Sequence, residues 1–589
     1  MKKNFTFNHN PLLSEKLPVW RARLVLLLML GCSTALAGRA VWLQGVKNDF
    51  LQAKGESRYE RQISLPATRG RILDRNGDAL AVSTPVRSIW AIPEDAELSP
   101  SQTRDLAQML GMDVAELNRK LAADRGFVYL KRHLPPELAD KVAALKLPGV
   151  HSQMEYQRFY PAGEIAAHVV GFTDVDDRGQ EGMELAFQKS LIGTSGSRRV
   201  IKDRRGQIVE DVESIKKPLE GTDVQLALDA KIQYLAYSAL KQAVTANKAK
   251  AGSAVVIDTR SGEILALVNA PTYNPNNRVG LTGAQLRNRA LTDTYEPGST
   301  MKPFTAALAL DTHRVRYDTV IDCAPGRMTI GTATISDAHP QGLLTVAQVI
   351  QKSSNIGAAK MALSMPPQEM WNMFDELGFG SQIKLGFPGE ASGRLRPARI
   401  WRPIEQATMS YGHGISVTLM QIAQAYLAFA RDGDLIPLSL TKLDTPPLHS
   451  KQVFAAQTAR EIRSMLESVT MPGGTATMAQ VPGYRVGGKT GTAYKLENGQ
   501  YTRKYISSFV GIGPISDPHL IVAVMIDEPS AGKHYGGTVA GPVFSQIMGG
   551  SLRSLGVAPD APLRPMQVAQ GQGQGQGQGH DMEDIKGDM

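Results

Sequence analysis

Leu24 to Gly38 carries no charged residue and is followed by Arg39, Ala40, Val41, Trp42 and Leu43. Read as one segment, Leu24 to Leu43 has about the 20 residues that a helix needs to span a bilayer. The basic residues before it, Lys2, Lys3, Lys16, Arg21 and Arg23, place that flank inside, with Trp20 and Trp42 near the two interfaces and Arg39 snorkelling outward. Two other readings stay open: a cleaved signal peptide, since Ala35-Leu36-Ala37 fits a small-x-small site, and a lipoprotein, with Leu30-Gly31-Cys32 as a poor lipobox. All three export the bulk of the chain.

From about 44 to 220 the pattern is charged, rich in short strands and turns, with a helical stretch near Ser101 to Ala123. No catalytic triad or metal pattern falls there, and the region reads as a pedestal or docking module. At about Thr222 the texture changes. Val224 to Leu228 reads as a strand and Lys231 to Val244 as an amphipathic helix. Ser253 to Asp258 and Glu263 to Asn269 read as a hairpin closed by Thr259-Arg260-Ser261-Gly262. Helical periodicity fills much of 299 to 430, and strands return at Arg485 to Tyr494, Ser508 to Gly513 and Leu520 to Ile526. A hairpin first, helices in the middle and antiparallel strands last describe an α+β layer fold whose sheet is completed by both ends of the domain.

Length and composition narrow the picture. With 589 residues, 42% apolar and 21% charged, the chain is mostly globular and large enough for about three or four domains. The formal net charge of +9 is spread among acids rather than gathered into basic stripes with aromatic partners, which argues against nucleic acid as a partner. Two distant cysteines, Cys32 and Cys323, give no disulfide framework and no zinc spacing. The 11 histidines include no HExxH pair, and His413 and His534 read as packing or surface residues, so no metal is expected. Gly571 to Gly579 alternates Gly and Gln before the acidic His580 to Met589, a composition that cannot bury enough apolar surface to offset its ordering entropy.

Three short motifs carry candidate chemistry. Ser299-Thr300-Met301-Lys302 puts a hydroxyl and an amine three apart on one helical face, within reach of each other, and Pro303 is tolerable in a first turn. Ser-x-x-Lys alone is weak, because Ser214 to Lys217 and Ser238 to Lys241 match it too. Ser353-Ser354-Asn355 follows an apolar helical stretch; a hydroxyl there can relay a proton and a side-chain amide can hold a peptide carbonyl. Lys489-Thr490-Gly491-Thr492 lies on a predicted strand, where glycine lets another backbone come close while Lys and Thr bind a carboxylate. The motifs are separated by about 50 and about 130 residues. Ser-x-x-Lys, Ser-x-Asn and Lys-Thr-Gly in this order are the known signature of β-lactamases and penicillin-binding proteins.

Beside that triple, Arg69-Gly-Arg-Ile-Leu-Asp-Arg-Asn-Gly77, Arg158-Phe-Tyr-Pro-Ala-Gly163, Gly182-Met-Glu184, Tyr273-Asn-Pro-Asn276 and Tyr535-Gly-Gly537 resemble segments of the class B penicillin-binding proteins. The resemblance is nearest to the septal, division-specific D,D-transpeptidases of the penicillin-binding protein 3 type and runs from about Arg21 to Val557. Gly38 to Gln44 looks like the end of that family's uncleaved anchor, which favours a retained span. Two features depart from the family: Val417-Thr-Leu-Met-Gln421 lacks its usual proline, and the Gly/Gln tail has no counterpart.

The resemblance implies a serine β-lactamase-like transpeptidase domain at 221–560, with antiparallel sheet and helical subdomain. It also implies a pedestal or dimerisation-type domain at 44–220, a transmembrane anchor at 24–43, a cytoplasmic tail at 1–23 and a disordered tail at 561–589. It implies attack by Ser299 on a D-Ala-D-Ala stem peptide, with Lys302 as base, Ser353 as proton relay and Asn355 holding the peptide. Lys489, Thr490, Gly491 and Thr492 would bind the terminal carboxylate, and backbone N–H groups of Ser299 and Thr492 would form an oxyanion hole. No cofactor is implied. Implied partners are stem peptides, β-lactams, the membrane, and glycan-polymerising and other division proteins, at the inner membrane with the catalytic domain in the periplasm. A β-lactamase, a carboxypeptidase, an elongation-type transpeptidase and a β-lactam-binding division scaffold are the competing readings. Against the β-lactamase, no Glu-x-x-Leu-Asn segment follows the first motif to supply a deacylating base.

Overall fold

A computed structural model describes residues 18–46, 60–202, 208–497 and 499–561. Most of the expected cytoplasmic tail and nearly all of the expected disordered tail, including the Gly/Gln run, lie outside the described residues. Helix α1, Val19–Val41, is the one helix among the described residues long and apolar enough to cross a membrane by length and composition. It contains most of the expected span and carries Trp20 near its start, with Trp42 directly after it.

The chain divides into two compact units. One is built from residues up to 70, from 83–157 and from 192–222; the other from 71–82, 158–191 and residues from 223 on. In the first, helices Pro100–Leu110, Val114–Leu121 and Pro136–Ala144 pack on the strand pair formed by the end of Ala79–Ala91 with Val128–Leu134. Ser99 starts the first of these helices with a capping box to Gln102. The apolar stripe Leu106, Leu110, Leu117, Leu130 and Leu134 makes this unit's own core.

The second unit is a five-stranded antiparallel sheet with helices around it. Helix α2, Ala230–Ala246, starts on Asp229, whose carboxylate accepts the Lys231 and Ile232 N–H groups. Strands β1, Ala251–Asp258, and β2, Ile264–Ala270, form the expected hairpin. After the helical middle come α3, Lys302–Asp311, α4, Val346–Lys352, and α5, Asn355–Leu363. The sheet then closes with β3, Gly487–Glu497, β4, Gln500–Gly513, and β5, Leu520–Asp527, followed by helix α6, Gly541–Ser554.

The strand order is β2-β1-β5-β4-β3, so the first hairpin and the last strands meet in one sheet. All seven residues Ala251 to Ile257 and all seven from Leu520 to Ile526 are buried, as strands covered on both faces must be. Strand β3 is left at the sheet edge, and Lys489-Thr490-Gly491-Thr492 lies on it.

The departures from expectation have local causes. Strand β4 begins eight residues before the expected Ser508, because Gln500 to Tyr505 is polar, largely exposed and lacks the apolar alternation that marks a half-buried strand. At Val417 to Gln421, where the family's proline is missing, Thr418 caps a helix from Leu419 through a reciprocal box with Gln421.

Candidate active site

Ser299 lies on the 3-10 turn Gly298–Met301, which runs directly into α3 at Lys302. Residues i and i+3 eclipse in such a turn, so the two share a face, and Pro303 sits where a missing N–H costs nothing. The turn is pinned from outside. Gly298 donates to the Gly412 carbonyl at 3.2 Å, and a Cβ on Gly412 would stand 2.2 Å from the Gly298 oxygen. Tyr426 donates its hydroxyl to the Thr300 carbonyl at 3.0 Å.

Ser353 ends α4 in the left-handed conformation, with φ at 62°. Ser354 then caps α5, accepting the Gly357 N–H at 3.0 Å. The chain thus turns sharply between two helices, and the turn presents Ser353 to the first motif. Lys302 Nζ donates to the Ser353 carbonyl and, at 3.1 Å, to its hydroxyl. Lys489 Nζ reaches the same hydroxyl at 2.9 Å and Thr490 Oγ1 at 3.3 Å. Residues from three distant stretches of sequence therefore converge on one oxygen.

Both lysines are fully buried. Burial drives the Lys302 amine well below its ordinary value, and the charge of Lys489 lowers it further, with Asp337 opposing. Burial draws Lys489 down to about 7. The decoys show the contrast: Lys241, of the Ser238 motif, is exposed and pairs with Glu164 at 2.8 Å.

Gly491 does what a glycine on this strand was expected to do. A Cβ there would lie 2.3 Å from Ser508 Oγ and 2.8 Å from the Pro297 carbonyl, so the segment leading to Ser299 rests against β3. A Cβ on Gly298 would in turn lie 3.5 Å from the Thr492 carbonyl, which sets Thr492 beside the nucleophile turn. Thr492 Oγ1 accepts the Gly536 N–H at 3.0 Å.

All the expected side chains thus border one region. The expected contact between Lys302 and Ser299 is not made: among the described residues the Ser299 hydroxyl has no hydrogen-bond partner, and Lys302 is turned to Ser353. Asn355 donates one amide hydrogen to the Ser336 carbonyl at 2.7 Å.

Residues 252–549 match the penicillin binding protein transpeptidase domain, and residues 64–226 match the penicillin-binding protein dimerisation domain. The chain belongs to the penicillin-binding protein transpeptidase family. It is 45% identical over 549 residues, 92% of its length and 94% of the relative's, to the probable peptidoglycan D,D-transpeptidase PenA of Neisseria gonorrhoeae. To the peptidoglycan D,D-transpeptidase FtsI of Escherichia coli K12 it is 41% identical over 550 residues, 92% and 93% of the two chains. The apo structure of the TP domain from Burkholderia pseudomallei penicillin-binding protein 3 is 53% identical. It covers 57% of this chain and 98% of that one, with a TM-score of 0.53. The class B, penicillin-binding protein 3-type resemblance and the fold class it implied both hold.

Two groups in this family site had no sequence signal. Asp337 accepts the Ser354 hydroxyl at 2.7 Å and the N–H groups of Asn355 and Ile356, the latter at 3.1 Å, and so anchors the second motif from behind. Glu296, just before the nucleophile turn, accepts the Gly414 N–H at 2.8 Å and a Tyr501 hydroxyl, with His413 Nδ1 at 3.1 Å. Burial alone would raise the Glu296 carboxyl, but these partners outweigh it and hold it below its ordinary value. His413, expected to be a packing or surface residue, packs through its ring nitrogen on Glu296, three residues before Ser299.

Proposed function

We propose that this chain is a peptidoglycan D,D-transpeptidase that cross-links stem peptides through an acyl-Ser299 intermediate in septal wall synthesis. The convergence of Lys302 and Lys489 on the Ser353 hydroxyl carries the reading. A hydroxyl has two acceptor lone pairs and one proton. With both lone pairs engaged by lysine N–H groups, the Ser353 proton is free to go to a leaving amine. Lys302, buried and beside a second cation, is held toward its neutral form, which a general base requires.

In this mechanism Lys302 takes the Ser299 proton as Oγ bonds to the penultimate D-alanine carbonyl carbon. The oxyanion rests on the Ser299 and Thr492 N–H groups, each such donor being worth roughly 3 kcal/mol in acyl transfer. The C–N bond then breaks, the departing D-alanine nitrogen takes a proton through Ser353, and an ester to Ser299 remains. An acceptor amine attacks that ester and restores the hydroxyl. Lys489, Thr490 and Thr492 hold the terminal carboxylate, Gly491 gives the strand clearance, and the second amide hydrogen of Asn355 holds a peptide carbonyl. The peptide lies along β3 by strand addition.

In this reading α1 stays as a single-pass inner-membrane anchor, with its basic flank cytoplasmic and residues 44–560, pedestal then transpeptidase domain, in the periplasm. Glycan-polymerising and other division membrane proteins are the partners. Benzylpenicillin should leave one added drug mass on the intact protein by mass spectrometry, lost in Ser299→Ala. Rapid drug hydrolysis in place of a lasting adduct would make the protein a β-lactamase. Fluorescent-penicillin label at midcell supports septation, and label along the side wall would instead assign elongation.

A further inference from the structure

A cavity of about 500 Å³ opens at the end of the sheet where β1 begins and β5 ends, lined by Lys248, Lys250, Arg503, Lys504 and Lys533 with Glu528 as the acid among them. The charges do not balance. Glu528 is taken by Lys250 at 2.9 Å and Lys495 at 2.7 Å, and Lys504 pairs with Glu497 at 3.0 Å. Among the described residues, Lys248, Arg503 and Lys533 have no acidic partner within ion-pair distance. Three cations therefore face one concavity uncompensated.

The cavity is tied to the active site by one short segment. His534, which lines the cavity, stacks on Tyr505 with ring centroids 4.1 Å apart, and its carbonyl accepts the Ser507 hydroxyl. Two residues on, Gly536 donates to Thr492. Tyr494 continues the ring series from β3, 5.0 Å from Tyr505. Direction follows from the order of parts along β3, on the transpeptidase reading above. The carboxylate clamp runs from Lys489 and Thr490 to the Thr492 hydroxyl, and the reacting carbonyl is at the Thr492 N–H, the end of the clamp away from Lys489. A peptide running from the one to the other continues toward Tyr494, so its upstream residues head for the ring series whose Tyr505 and His534 line this cavity.

We propose that the cavity is a subsite for free carboxylates on the upstream residues of the stem peptide, with Lys248, Arg503 and Lys533 supplying the charge. It selects the acidic donor strand over an amidated one. Benzylpenicillin carries no such upstream residues and does not reach the subsite.

The test uses full-length protein in detergent and two synthetic thioester donors, identical except that the upstream carboxylates are free or amidated. Acylation is followed alongside that by benzylpenicillin. In the triple variant Lys248→Ala, Arg503→Ala, Lys533→Ala, kcat/KM for the free-acid donor should fall about 10-fold, the scale of a few exposed charge contacts together. The amidated donor and benzylpenicillin should react as in wild type. Lys533→Glu alone should also turn preference toward the amidated donor, and high salt should erase the discrimination. Normal penicillin acylation with no acid-over-amide preference in wild type, or with an equal loss on both donors in the triple variant, overturns the subsite and leaves the transpeptidase reading standing. Failure of wild type to acylate Ser299 with any of the three reagents overturns both.

Discussion

Lys302 and Lys489 place their ammonium nitrogens 3.1 and 2.9 Å from the same hydroxyl oxygen, that of Ser353. Burial disfavours charge on either amine, and two cations so close, with no carboxylate in ion-pair contact with them among the described residues, cannot both stay charged cheaply. The lowered position of Lys302 follows, and with it a sign for pH dependence. The active form is the neutral amine, so penicillin acylation has an acidic limb that falls away as pH drops through the Lys302 pKa. In Lys489→Met the second charge is gone, Lys302 binds its proton more readily, and the limb moves to higher pH. Stopped-flow acylation rates across pH test this; a limb that stays put would separate the two lysines electrostatically.

Asp337 acts on the same equilibrium with opposite sign. Its negative charge favours the ammonium form of Lys302. Asp337→Asn should therefore shift the acidic limb to lower pH, contrary to Lys489→Met. Asp337→Ala should also remove acceptors from Ser354, Asn355 and Ile356 and cost about 1 kcal/mol of stability, the scale of a lost helix cap. A calorimetric melt and the same pH series measure the two effects separately.

Asp337 also shows where sequence reading ends. The three motifs were legible because each is a local pattern: Ser299 and Lys302 share a face by spacing, Ser353 to Asn355 follow an apolar helical stretch, and Lys489 to Thr492 sit on one strand. Asp337 follows the short strand Ala333–Ser336 and meets Ser354 only after a tertiary turn, so no spacing rule links them. Periodicity also gives a face but not a rotamer. It brought Lys302 near Ser299, while competition among acceptors turned the amine to Ser353. The assignment of 71–82 and 158–191 to the second unit was likewise hidden, since it rests on long-range packing.

Gly491→Ala should be severe. The added methyl would lie 2.3 Å from Ser508 Oγ and 2.8 Å from the Pro297 carbonyl, and the second of these is backbone that cannot rotate away. The nucleophile turn must then move off β3. Since a misplacement of about 1 Å can cost roughly 10²-fold in rate, acylation should fall by about that factor. Gly283→Ala, at an open position, is the control and should acylate normally.

The last prediction concerns two residues of the family segments, Arg158 and Glu184. Arg158 Nε stands 2.6 Å from Glu184 Oε1, and both side chains are shut away from water. A buried pair of this kind is costly to break rather than valuable to own, because removing one partner takes a counter-charge from the other in low dielectric. Glu184→Ala or Arg158→Ala should each lower unfolding free energy by about 3–5 kcal/mol in denaturant titrations. Arg158→Met with Glu184→Leu removes both charges at similar volume and should recover most of that loss. The pair lies outside the three motifs, so protein that remains folded in each variant should acylate Ser299 at the wild-type rate. If the double variant is as unstable as the single ones, the two charges stabilise the fold mainly through their other contacts and not through each other.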